Sequence, residues 1–210
     1  MGAVKIQLSE EESRLLADPA IILTKNRVLE KLAAVLGAIS EQQVATMVAR
    51  RSELPAICFN YPPKISRGEK YGGLPWLVLD YPRVFETDEM MVIRQFMWWG
   101  NFFSSTLLVS GPLQQQVLHR LLNTTNADLT DALYICVHAS PWEHNFKETN
   151  LLSFAANTRE EWASLLVKAP FVKLAKKMPI DALEAIPAFL EKSFNDWLEL
   201  ISYPNDETGL

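Results

Sequence analysis

The chain predicts a single α+β domain spanning residues 1–210, with a central antiparallel sheet over about residues 74–138 and helices from both ends of the chain packed on it. Three observations predict this class. Apolar residues recur at three- and four-residue spacing before residue 51 and after residue 158, which marks one face of a helix. Compact apolar runs bounded by glycine and proline lie between them, at Leu74–Tyr81, Met91–Trp99 and Phe102–Val109. Helices gathered at both ends of a run of strands suit α+β better than a strand–helix alternation. At 210 residues, 49% hydrophobic and 21% charged, the chain can bury one sizeable core and is too apolar to stay disordered.

Residues 9–51 read as helical. Ser9 with Glu12 is a capping-box pattern that opens a short helix. Asp18-Pro19 restarts the chain, and Val28, Leu29, Leu32, Val35 and Leu36 form one helical face. Ser40 with Gln43 repeats the capping pattern and predicts a further helix, with Val44, Met47 and Val48 inward.

Residues 55–140 read as sheet-rich. Pro62 to Gly73 predicts a polar, glycine-bearing loop. Three strands follow at the apolar runs above, with Gly100-Asn101 as a hairpin turn or bulge between the second and third. Apolar density on both parities from Met91 to Val109 predicts that Trp98 and Trp99 point to opposite faces. Gly111-Pro112 ends the pair, Leu113 to Leu122 carries a helical stripe, and Ala132–His138 reads as the last strand.

Residues 158–202 read as helical again. Thr158 with Glu161 is a third capping box, with Trp162, Leu165 and Leu166 inward. Asp181 and Glu184 start another helical pattern, in which Pro187 is either a kink or a first-turn residue. Phe189, Leu190, Phe194, Trp197, Leu198 and Ile201 form an amphipathic stripe, and the polar tail from Tyr203 to Leu210 is expected to fray.

Composition narrows the function classes. The net charge is −5, and no basic cluster exceeds Lys173, Lys176 and Lys177, so nucleic acid is not an expected partner. The N-terminus turns acidic at Glu10, Glu11 and Glu12, unlike a secretory signal, and Ile6 at the sixth position argues against myristoylation. The longest uncharged run, Gln95 to Gln116, is broken by Gly100-Asn101, Ser104-Ser105-Thr106 and Gly111-Pro112, so no membrane partner is expected. Cys58 and Cys136 lie in apolar runs and read as buried free thiols. A soluble, cytoplasmic protein is the expectation.

No nucleophile elbow, phosphate loop, paired-cysteine or metalloprotease motif occurs. His119 reads as a partly exposed helix residue. His138, Glu143 and His144, with Asp80, contain metal-ligand types, but a strand end and a turn facing water account for them, and neither metal nor cofactor is expected. Cys136 and His138 share a strand face, where a buried thiol is inert.

The polar loop is the better candidate. Lys64, Arg67 and Lys70 supply cations, and Ser66 and Tyr71 supply hydroxyls. Arg94 interrupts an apolar strand on the same face as Phe96 and Trp98. It must be solvated or paired, either with Asp80 or Asp88 as a structural bridge or with a ligand. The leading expectation is a small-molecule or anion-binding module whose ligand meets Lys64, Ser66, Arg67, Tyr71, Arg94 and Trp98, with Arg67 and Arg94 converging on one cavity. Two other classes compete. One is a hydrolase using Glu143 and His144 with Asp80. The other is an interaction module with an exposed tryptophan face, which includes a homodimer.

Overall fold

The computed structural model describes residues 5–203. The expected tail lies, beyond Tyr203, outside the described residues, as does Gly2. Among the described residues, six α-helices and a seven-stranded antiparallel sheet make one α+β domain, with N- and C-terminal helices flanking the sheet. The strands are β1 (Lys64–Tyr71), β2 (Leu74–Phe85), β3 (Met90–Trp98), β4 (Phe102–Val109), β5 (Tyr134–Cys136), β6 (Leu151–Ser153) and β7 (Val172–Pro179). Their spatial order is β1-β2-β3-β4-β7-β5-β6, so β7 inserts between β4 and β5. The helices are α1 (Glu10–Ala17), α2 (Ala20–Ala49), α3 (Pro112–Asn123), α4 (Ala127–Thr130), α5 (Arg159–Leu166) and α6 (Ile186–Ile201).

Two expected helix starts form as capping boxes. Ser9 and Thr158 each accept from the backbone three residues on, and Glu12 and Glu161 reach back to the cap N–H. The third does not form: α2 runs unbroken through Ser40. No proline interrupts it after Pro19, and a continuing helix supplies the N–H partners that a new cap would otherwise provide. Gln43 turns inward instead, buried with no protein partner for its amide. In α5, Trp162 and Leu166 are buried, whereas Leu165 is exposed. Pro187 sits in the first turn of α6, whose missing N–H has no partner to lose there.

The sheet extends past both expected limits. Lys64–Tyr71 is an edge strand rather than a loop, pairing with β2 from Lys64↔Asp80 to Tyr71↔Leu74. Val172–Pro179, within the stretch expected to be helical, is a central strand paired with β4 along its whole length. The Ala132–His138 strand shortens to Tyr134–Cys136.

Alternation gives the sheet two different faces. One carries Leu77, Leu79, Met91, Ile93, Met97, Phe103, Leu107, Val172 and Leu174, and packs under α2, α3, α5 and α6 through Leu36, Val117, Trp162, Phe194 and Trp197. The other carries Trp76, Val78, Asp80, Arg94, Phe96, Trp98 and Lys173. It is only partly covered, by the segment 137–150 and a small cluster around Val92, Leu108, Cys136 and Phe171. Gly100 turns the β3–β4 hairpin at φ +70°, with the Asn101 N–H bonded to the Trp98 carbonyl at 3.0 Å. Trp98 then lies against Tyr71 on the open face, while Trp99 packs with α2 on the covered face.

The two ends of α2 differ. Leu29, Leu36, Ile39 and Met47 are buried, whereas Ile21, Ile22, Leu23 and Val28 in its first turns are exposed, and α1 buries nothing. Among the described residues, α2 is the one helix long and apolar enough to cross a membrane.

Candidate functional site

The open face of the sheet holds a cavity of about 600 Å³ bounded by β1, β2, β3 and the segment around Trp142 and His144. Its floor follows from register. Trp76 opposes Trp98, Val78 opposes Phe96 and Asp80 opposes Arg94, so alternate residues of β2 and β3 stand on this one side. On the edge strand, Lys64, Ser66 and Gly68 oppose Asp80, Val78 and Trp76, and so join the same face. A register shift between Asp80 and Arg83 lets Arg83 also line the cavity.

The cationic lining is Lys64, Lys70, Arg83 and Arg94, and the aromatic lining is Tyr71, Trp76, Phe85, Phe96 and Trp142. Of the expected ligand residues, Lys64, Ser66, Tyr71 and Arg94 are brought together here. Arg67 is not. It has the opposite parity on β1, opposes Leu77, and lies beside Asn26 and Glu30 of α2 on the covered side. The expected convergence of Arg67 and Arg94 therefore does not occur, because a residue one step along a strand points the other way. Trp98 stands behind the cavity rather than in it. Its ring meets Tyr71 at 5.0 Å, and its Nε1–H donates to the Tyr71 carbonyl at 3.0 Å.

Arg94 is both a structural bridge and part of the wall. Its Nε and Nη2 donate to Asp80 Oδ1 and Oδ2 at 2.7 and 2.9 Å, a two-pronged pairing across neighbouring strands. Its Nη1 lies 3.2 Å from His144 Nε2. A guanidinium can only donate, so Nε2 accepts and the neutral ring carries its proton on Nδ1. His144 is partly buried at the cavity wall rather than on a free turn. It packs 4.9 Å from Phe96 and 5.6 Å from Tyr71, centroid to centroid. Burial holds its pKa well below the usual imidazole value, and the charges of Lys173 and Arg94 push the same way.

Two contacts from Tyr71 pin the covering segment, and a third bond lies within it. The Tyr71 hydroxyl accepts from the His144 N–H at 2.8 Å and donates to Glu143 Oε2 at 3.4 Å, and Asn145 Nδ2 donates to the same carboxylate oxygen at 3.1 Å. Beneath them Lys173, only 2% exposed, donates its Nζ protons to the carbonyls of Pro141, at 2.7 Å, and Glu143. Burial brings its pKa down to about 8, aided by Arg94 and opposed by Cys136 and Glu143. Both thiols are buried, Cys136 beside Asn150 of the covering segment, and burial pushes Cys58 up to about 12. Among the described residues, no three His, Cys, Asp or Glu side chains gather as a metal site.

A pH dependence follows from His144. As the pH falls below about 6.5 the unfolded chain binds a proton that the folded ring resists, so stability falls on acidification. The slope from one such group is at most about 1.4 kcal/mol per pH unit. His144→Gln keeps an acceptor for Arg94 but cannot titrate. Urea midpoints measured across this range should show a shallower decline in the variant, and identical slopes would remove His144 as the cause.

The sequence does not mark Trp76, Phe85 or Trp142 as site residues. Trp76 was recoverable, because it shares parity with Asp80 on one strand. Trp142 was not, because only the path of the 137–150 segment brings it over the sheet. Comparison with known proteins adds no further constraint: no family model, curated protein or solved structure matches this chain.

Proposed function

We propose that the protein binds a small organic anion in the open-face cavity. One observation carries the reading: Lys64, Lys70 and Arg83 line an aromatic-walled cavity of ligand size and have no carboxylate within salt-bridge distance among the described residues. The one lining carboxylate, Asp80, is held in both prongs by Arg94. The lining thus presents an excess of positive charge beside apolar rings. Arg83 is steadied by donating its Nε–H to the Pro62 carbonyl at 2.6 Å, which leaves its remaining guanidinium protons for a ligand.

Binding is better supported than hydrolysis. His144 Nε2 faces a permanent cation, which opposes proton uptake there. Glu143 is engaged by Tyr71 and Asn145, and Asp80 by Arg94, so neither is placed as a free base.

The test is a titration of the purified protein with a panel of organic carboxylates, sulfonates and phosphate esters, read by calorimetry. At least one member should bind. The Lys64→Ala/Lys70→Ala double variant should lose about 1.5 kcal/mol per lysine in direct contact while keeping its fold, since both side chains sit on an exposed edge strand. Undiminished affinity in that variant would show that the cavity's charge does not recruit the ligand.

A further inference from the structure

We infer that the ligand is a planar, conjugated anion that stacks on the Trp76 indole between the flanking cations of β1; this rests on the organic-anion reading above. The indole has an unusual seat. A Cβ placed on Gly68 would lie 2.5 Å from Trp76 Cζ2, 2.6 Å from Cε2 and 2.7 Å from Nε1, closer than any side chain tolerates. The ring therefore lies against the bare backbone of the edge strand, and the same residue lines the cavity. An indole braced on backbone and bordering a cavity can serve as a platform.

Trp98 offers the contrast. Only its Cζ2 comes close to Gly72, 2.8 Å from where a Cβ would stand, its N–H is already donated to Tyr71, and its rim is taken by Tyr71 and Phe102. Buried Trp162 and Trp197 likewise donate to Phe154 and Ser105. The Trp76 indole N–H has no hydrogen-bond partner among the described residues, and no other aromatic ring is stacked on it, so the ring remains available at the cavity it lines.

The cations sit where an anionic substituent on a stacked ring would reach them. Lys70 is two residues from Gly68 and Lys64 is four, about 7 and 13 Å along a strand. Phe85 and Trp142, with centroids 6.0 Å apart, add further ring surface to the lining. Flat rings beside an ammonium recognise flat anions, because offset stacking and ion pairing are satisfied together.

Three matched probes separate the terms: naphthalene-2-carboxylate, its saturated counterpart decahydronaphthalene-2-carboxylate, and the neutral 2-naphthalenemethanol. Affinities are measured by calorimetry on the full chain. The aromatic carboxylate should bind about tenfold or more tightly than either comparator, the lower range for one stacking or one charged contact. Gly68→Ala, which removes no polar group, should weaken it by a similar factor by displacing the indole. Should Gly68→Ala fail to fold, Trp76→Leu carries the same expectation. Equal binding of the saturated acid, or unchanged affinity in Trp76→Leu, overturns stacking while leaving the organic-anion reading intact. Equal binding of the neutral alcohol overturns the ionic part. If no organic anion in the wider panel binds, the broader reading fails and this one with it.

Discussion

Arg94→Ala should destabilise the protein by about 3–5 kcal/mol, whereas Arg67→Ala should stay within about 0.5 kcal/mol. The sequence places both arginines near one site, and the structure separates them. The Arg94 side chain is 17% exposed and its partner Asp80 is 9% exposed, with two hydrogen bonds between them. Truncating Arg94 leaves a carboxylate on the sheet without its counter-charge and leaves His144 Nε2 without its donor. Arg67 is exposed on the edge strand, where a lost charge is replaced by water. Urea denaturation of both variants checks the ranking. The double variant Asp80→Asn/Arg94→Met should recover part of the loss, because no charge remains buried alone. A stable Arg94→Ala would mean that the pair contributes no more than a surface bridge.

Asp196→Ala should have an effect of the same size, again about 3–5 kcal/mol. Lys176, 8% exposed on the helix-covered side of β7, sends its Nζ to Asp196 Oδ2 at 2.7 Å and to the Asp128 carbonyl at 3.0 Å. Removing Asp196 leaves that ammonium without its counter-charge, with the Asp128 carbonyl and the face of the Trp197 ring 5.8 Å away as its remaining partners. The converse change, Lys176→Met, should cost less, because Lys192 lies 3.3 Å from both oxygens of Asp196, is 55% exposed, and can still neutralise the carboxylate. Chemical denaturation of the two variants should therefore rank Asp196→Ala as the more damaging. The reverse order would show that side-chain packing, rather than the stranded charge, sets the cost.

Both effects depend on strands whose nature was not legible locally. The segment Val172 to Lys177 reads as a basic patch, and lysines are rare in the middle of a sheet. Each of its three lysines has its own tertiary solution. Lys173 reaches two loop carbonyls, Lys176 reaches Asp196, and Lys177 lies over the rings of Tyr134 and Phe146. None of these partners is near in sequence, so the strand is stable only once the rest of the fold is present. Lys64 to Tyr71 misleads for the opposite reason. An edge strand with one side toward a polar cavity needs no apolar alternation, and its charges and Gly68 read as a loop.

Some features were determined by the sequence itself. Two capping boxes, the proline in the first turn of α6, the Leu74, Met90 and Phe102 strands and the glycine turn at Gly100 all depend on neighbours within a few residues, and they form where the residues place them. The opposition of Trp98 and Trp99 is of the same kind, since pleating sends successive side chains to opposite sides. The α+β class follows from those elements in order. Tertiary structure alone decided which strand joins which, and hence the site. Pairing Asp80 with Arg94, laying Trp76 against Gly68, and folding His144 across the sheet onto Arg94 and Tyr71 bring together residues between 8 and 73 positions apart. Register between distant strands is fixed by burying one face against the helices, and which side of the sheet each cation occupies follows from that register.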